Sequence, residues 1–293
     1  MKKKDNNKTK ELYKKIVDGI QNIIDSGEYQ KFLKFSKYFR NYSFNNIILI
    51  FSQMEDATYV AGFKAWQTMG RKIKKGERGI QIMYPLKRKH IVKIKGQESL
   101  LDKNEENVNE KTVEYLTYRP TYVYDISQTT GNEIPVGMKR LETNNKSEFF
   151  EFLKNYSKYP VLEKSISRNS FGYWSPTNQH IVLEKTLSID DKVSTLLHEL
   201  THALYDDFDY KENRDLSEIF VESVAYIVAD FFDLDTSMCS FDYITKWSNG
   251  DLKPILELGN KVQKTANDFI NKLEKEFYND NIKIAIWKGN KYE

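Results

Sequence analysis

The sequence predicts an α+β chain of two domains, on three observations. Apolar residues recur at helical spacing near both ends of the chain. Short alternating segments punctuated by glycine lie between them. Charge is also split. Residues 1–136 hold 25 Lys and Arg against 16 Asp and Glu, a balance of +9, whereas residues 137–293 hold 20 against 26, or −6. Within 31–95 the contrast is 15 basic residues against 3 acidic. A basic unit joined to an acidic one predicts two domains with different partners, and a polyanion as the partner of the first. Composition alone fits solvated lysines equally well.

The elements follow in order. Leu12, Ile16, Ile20 and Ile23 or Ile24 mark a first helix that Ser26-Gly27 stops. Phe32, Leu33, Phe35 and Phe39 mark a second helix, and Ser43 is placed to cap a third through NNIILIFSQM. After Gly62, Gly70, Gly76 and Gly79, GIQIMYPL reads as a strand with KRKHIVKIKG as its hairpin partner. Residues 97–111 read as an acidic, polar loop, TYVYDISQT as a second strand, and GNEIPVGMKRLETNN as the linker between a domain at 1–136 and a domain at 137–293. In the second domain SEFFEFLKNYSKY is an amphipathic helix, and Pro176-Thr177-Asn178 turns a hairpin between GYW and HIVLE. Ser188 caps a helix with Asp190 and Asp191 in its first turn, where the helix dipole favours them. LSEIFVESVAYIVADFFDL and PILELGNKVQKTANDFINKLEKEFY supply two more helices. The first domain is thus helices followed by a small antiparallel sheet, and the second a small sheet on helices.

Phe (17), Tyr (19) and a hydrophobic content of 40% can build sizeable cores. The single Cys239 excludes an internal disulfide framework and fits a reducing compartment. The basic start lacks an apolar h-region, and no run of about 18 apolar residues exists. A soluble, cytoplasmic protein with no membrane partner is the expectation.

TLLHELTHALYDD contains H-E-x-x-H: His198, Glu199 and His202. Histidines at i and i+4 lie on one helix face and can share a metal ion, while the glutamate between them can hold a water without ligating. Leu196, Leu197, Leu200, Ala203 and Leu204 supply the apolar face of such a helix. Catalytic Zn2+ takes three protein ligands and leaves one position open. No third histidine follows at short spacing, so the next helix must supply a carboxylate. Glu222 is the expected donor, because the apolar residues flanking it place it on the packed face, and Glu218 is the rival one turn earlier.

HELTHAL followed by ESVAY resembles the gluzincin-type, zincin-like metallopeptidases, especially the ImmA/IrrE-like group. The resemblance implies His198, His202 and Glu222 as Zn2+ ligands and Glu199 as general base, and GYWSPTNQHIVLEKTL resembles that family's edge-strand region. Tyr173, Tyr205 and Tyr226 remain open as sources of oxyanion stabilisation.

Residues 40–86 interleave cations with aromatics: Arg71, Lys72, Lys74, Lys75 and Arg78 among Tyr42, Phe44, Phe63, Trp66 and Tyr84. Cations that track phosphates and rings that stack bases suit single-stranded nucleic acid. N-Y-S-F-x-N (Asn41 to Asn46), V-A-G-F with Trp66, Gly70 and Arg71, K-G-E-x-G-I (Lys75 to Ile80) and D-I-S-Q-T (Asp125 to Thr129) resemble the N-terminal domain of ArdC-type antirestriction proteins. That resemblance implies single-stranded DNA as partner, with Arg40, Tyr42, Arg71, Lys72, Lys74, Lys75 and Arg78 as candidate contacts, and a metallopeptidase-like second domain. Three functions stay open: a DNA-binding antirestriction-type protein of a mobile element, a regulatory zinc endopeptidase that cleaves a protein substrate, and a DNA-binding module with a structural zinc.

Overall fold

The computed structural model describes residues 2–95, 108–134, 146–167, 170–208, 213–234, 236, 241 and 252–277. Three helices come first: α1 (Lys2–Asp25), α2 (Tyr29–Ser36), which runs on as a 3-10 turn over Lys37–Phe39, and α3 (Phe44–Gln53). Leu12, Ile16, Ile20, Ile23 and Ile24 are all buried, as their spacing requires. The Ser43 hydroxyl caps α3 by accepting the Asn46 N–H at 3.4 Å.

Next come β1 (Val60–Gly62), α4 (Phe63–Thr68), β2 (Arg71–Ile73), β3 (Ile80–Lys95), β4 (Val108–Asp125), a 3-10 turn over Ile126–Gln128, and β5 (Thr129–Gly131). One antiparallel sheet has the order β1-β4-β3, and β2 pairs with β5 in a second. The expected hairpin between GIQIMYPL and KRKHIVKIKG does not form. Ile80 to Lys95, drawn from both segments, form the continuous strand β3, whose partner throughout is β4, from Ile80↔Val123 to Lys95↔Val108. No turn residue stands between Leu86 and Lys87 to reverse the chain. Pro85 is tolerated inside β3 because β3 lies at the sheet edge. The expected loop at 97–111 lies outside the described residues up to 107, and its last four residues belong to β4.

Helix α3 closes part of that edge with side chains. The Asn46 amide donates to the Met83 carbonyl and accepts the Met83 N–H, both at 2.9 Å. Seven residues on, Gln53 does the same for Gln81, at 2.9 Å and 3.0 Å. Two amides on one face of a helix thus stand in for a neighbouring strand at alternate residues of β3.

The second half holds α5 (Lys146–Tyr156), β6 (Val161–Lys164), β7 (Gly172–Ser175), β8 (His180–Glu184), α6 (Ile189–Tyr205), α7 (Arg214–Phe231) and α8 (Lys253–Phe277). The sheet order is β6-β8-β7, with β6 parallel and β7 antiparallel to β8. Ser188 caps α6, with Asp190 and Asp191 in its first turn. The expected boundary between residues 136 and 137 falls outside the described residues.

The two halves share one continuous apolar core. Tyr29 of α2 hydrogen-bonds Ser223 of α7 at 3.1 Å. Lys37 forms a nearly buried ion pair with Asp230. Arg40 stacks over Phe231 at 4.9 Å and bonds Glu274 at 3.4 Å. Gly259 of α8 faces Phe44 so closely that a Cβ there would stand 2.2 Å from the ring.

Gly259→Ala sets two effects against each other. Helix propensity favours alanine by about 1 kcal/mol. Forcing a methyl group into a packed ring costs about 1–3 kcal/mol. Net destabilisation is expected in urea unfolding, and it should largely vanish when Phe44→Leu is added to Gly259→Ala.

Candidate functional site

Helices α6 and α7 bring the chemistry together. On α6, His198 and His202 stand one turn apart with ring centroids at 4.9 Å. Glu218 reaches both from α7, with Oε2 at 3.7 Å from each Nε2. One donor atom from each of the three lies within 4.8 Å of the others. Donors 3.7 Å apart are near the roughly 3.4 Å expected for ligands about 2.1 Å from a tetrahedral ion. Two imidazoles and a carboxylate that leave a further position open fit a divalent cation.

Glu222, expected from the sequence as the third donor, sits elsewhere. Its Oε2 is 2.9 Å from His198 Nδ1, on the other side of the ring. Asp206 does the same for His202, with Oδ2 2.8 Å from Nδ1. An ionised carboxylate only accepts hydrogen bonds, so each Nδ1 carries a proton and each Nε2 faces the cluster, where a bound cation would displace any second ring proton. Asp206 is itself fixed by the Ser217 hydroxyl at 2.5 Å and the Phe208 N–H at 3.1 Å. His198, His202 and Asp206 follow one another every four residues, so Asp206 was legible as a third residue on that helix face.

The electrostatics favour a cation. Burial opposes a charged His198, but the carboxylates of Glu218 and Glu222 beside its two ring nitrogens and the nearby Glu199 outweigh it, and the group is pushed up to about 10. Burial would likewise raise Asp206, yet His202, Ser217 and Phe208 together hold it below the usual carboxylate range.

Glu199 is buried beside the cluster. Burial pushes its carboxyl above the usual range, against the lowering pull of His198, His202 and a hydrogen bond from the Trp174 N–H. That donor belongs to β7, an edge strand. Gly172 lets β7 lie against α6, since a Cβ there would meet Thr195 at 2.7 Å. Of the three tyrosines left open, Tyr226 is buried edge-on to Phe241, and Tyr205 packs on Phe269. Tyr173 is exposed on β7, next to the residue that holds Glu199.

The residues expected to touch DNA divide in two. Arg40 is committed to α8 and Phe231. The Tyr42 hydroxyl donates to the Val60 carbonyl at 3.1 Å. Arg71 bonds Thr129 through Nε at 2.7 Å, bonds the Asn132 carbonyl, and stacks on Trp66 at 5.9 Å. Lys74 donates to the Ser127 carbonyl at 2.7 Å. Lys72, Lys75 and Arg78 are exposed. Around them Asp125 accepts the N–H groups of Thr58, Tyr59 and Ser127, Gln128 bridges Glu77 and Arg78, and the Trp66 indole donates to the Tyr124 carbonyl. Much of the motif that looked like a DNA-binding signature therefore ties β2, β4 and β5 into a structural knot.

Fold and cluster together define a class: an α+β protein with a candidate divalent-metal site on a helix pair. Within that class, part of the chain has a family match. Residues 9–124 match the family model described as the N-terminal domain of anti-restriction factor ArdC. The fold is similar to that of the antirestriction ArdC protein from the R388 plasmid. In its Mn(II)-bound structure the TM-score is 0.52 at 18% identity, covering 80% of this chain and 86% of that one. In its metal-free structure the TM-score is 0.50 at 17% identity, covering 79% and 84%. An uncharacterized protein of Bacillus anthracis is 26% identical over 92% of this chain. The chain spans about half of that relative, 51% of its length. Among the described residues no helix is long and apolar enough to cross a membrane.

Glu218→Ala is expected to abolish stoichiometric binding of a divalent ion, read by calorimetry and elemental analysis. Glu222→Gln and Asp206→Asn should keep the stoichiometry and weaken affinity by about 10- to 100-fold, because they only orient the rings. The opposite ranking of Glu218 and Glu222 would exchange their roles.

Proposed function

We propose that this chain is a single-stranded-DNA-binding, antirestriction-type protein of a mobile element whose second half carries a hydrolytic zinc site. One observation carries the reading: a segment matching the ArdC N-terminal domain shares its chain with a helix pair that converges two imidazoles and a carboxylate. Residues 1–136 are assigned to DNA and residues 137–293 to the metal, with His198, His202 and Glu218 as ligands.

Bound there, Zn2+ would polarise a substrate carbonyl and acidify water. The chain's own residues do the rest. Glu222 and Asp206 keep both Nδ1 atoms protonated and both rings aimed. Glu199, dry and held by the Trp174 N–H, is the base that accepts the proton of water and returns it to the leaving amine. Its raised basicity suits that task, since a carboxylate deep in the ordinary acid range is a weak base at neutral pH. The substrate class proposed for this half is a protein.

The test is plasmid transfer into restricting and non-restricting recipients, beside peptide hydrolysis by the purified protein. Wild type should raise transfer only into the restricting host. Glu199→Gln should retain its metal and lose hydrolysis by about 100-fold or more. Full hydrolysis by Glu199→Gln would remove its role as base. Equal transfer with and without the protein would remove the antirestriction reading. If His198→Ala unfolds the protein while Glu199→Gln changes neither assay, the metal is structural.

A further inference from the structure

The β3–β4 ribbon carries a stripe that the core does not consume. Directly opposed residues of an antiparallel pair share a face, and alternate residues repeat it. The face that buries Ile80, Ile82 and Val123 continues outward through three rungs: Tyr84↔Arg119, Leu86↔Thr117 and Arg88↔Tyr115. The stripe therefore places an aromatic and a guanidinium on its first rung and again on its third, in crossed order. The Arg119 guanidinium lies 5.4 Å from the Tyr84 ring centroid. Arg88 and Arg119 are exposed, and Tyr115 is 45% exposed. Helix α1 lies along the opposite face, where Thr9 donates to the Tyr118 carbonyl at 3.4 Å and Tyr13 stands beside Tyr118.

The charge is one-sided. On the three outward rungs of this face the charged residues are Arg88 and Arg119 alone, while Lys87, Lys89 and Glu114 lie on the opposite face. Glu114 is paired with Lys89 at 3.1 Å. In the loop at 71–78, by contrast, Arg71 and Lys74 are bonded to neighbouring carbonyls.

We infer that single-stranded DNA lies along this face of the ribbon, with bases stacked on Tyr84 and Tyr115 and phosphates met by Arg88 and Arg119. The inference rests on the proposed single-stranded-DNA function and deepens it. Successive rungs are about 6.8 Å apart at two residues each, and the two aromatics sit two rungs apart with a guanidinium beside each. Rings on a sheet face offer a stacking surface to any unpaired base. A duplex has already stacked its bases and gains only the charge. Single strands should therefore be preferred.

The experiment is fluorescence anisotropy of a labelled oligothymidine with the full chain, over a range of salt. Wild type should bind it more tightly than a duplex of equal length. Tyr84→Ala and Tyr115→Ala should each weaken binding by about 5- to 100-fold, while Tyr115→Phe, which keeps the ring, should bind as wild type. Arg88→Ala and Arg119→Ala should each reduce the salt slope by about 0.7. A loop variant combining Lys72→Ala, Lys75→Ala and Arg78→Ala should change less than either arginine variant. Thermal melts identify any variant that fails to fold, and Tyr115→Phe reports the ring independently. Wild-type binding with all four ribbon alanine variants unchanged overturns the inference alone. Failure of wild type to bind single strands overturns the parent reading as well.

Discussion

Glu218 and Glu222 stand one helical turn apart, and what each can do depends on α7 being unable to rotate. A helix turns about 100° per residue, so a one-residue slip would carry Glu218 off both Nε2 atoms. The packing forbids it. Ser217, Ile219, Phe220, Val221 and every residue from Ser223 to Ala229 are buried. One side of α7 packs on α6 and α8, and another meets α2 through Tyr29 and Ser223. The candidate metal site is therefore held in place by contacts that the N-terminal helices supply, and the two halves meet on the helix that carries Glu218.

The same helix shows how this fold uses buried charge. Lys37 and Asp230 pair with little exposure, at the end of α7 remote from the cluster. Removing one partner of such a pair leaves an uncompensated buried charge, whereas replacing both by apolar groups is often tolerated. Pairs of that kind fix alignment more than they add strength. They fit a joint in which angle matters.

Periodicity made most elements legible. Leu12 to Ile24, the Ser43 and Ser188 caps and the H-E-x-x-H helix are local facts, settled within a few residues of each other. The β3–β4 ribbon was misread because a strand and a hairpin arm share the same alternation, and only the partner, beyond residue 107, distinguishes them. The choice between Glu218 and Glu222 lay outside the reach of sequence for a related reason. Both sit on the same face of α7, and the angle at which α7 crosses α6 decides which one meets the Nε2 side. Arg71 and Lys74 show a third limit: the sequence of a glycine-rich basic loop does not say that carbonyls of Ile126 to Asn132 will accept hydrogen bonds from its cations.

The paired amides of Asn46 and Gln53 have a consequence for how this protein behaves in a crowded solution. An outer strand with unsatisfied N–H and C=O groups is a template for another chain, and β3 is long, apolar at its inner end and edge-placed. By occupying Gln81 and Met83, α3 removes the template where the strand is most hydrophobic. Further out, Lys87, Arg88 and Lys89 repel any second copy of the same strand. The inner end is blocked by shape and the outer end by like charge, so the molecule keeps an open sheet without inviting a fibre.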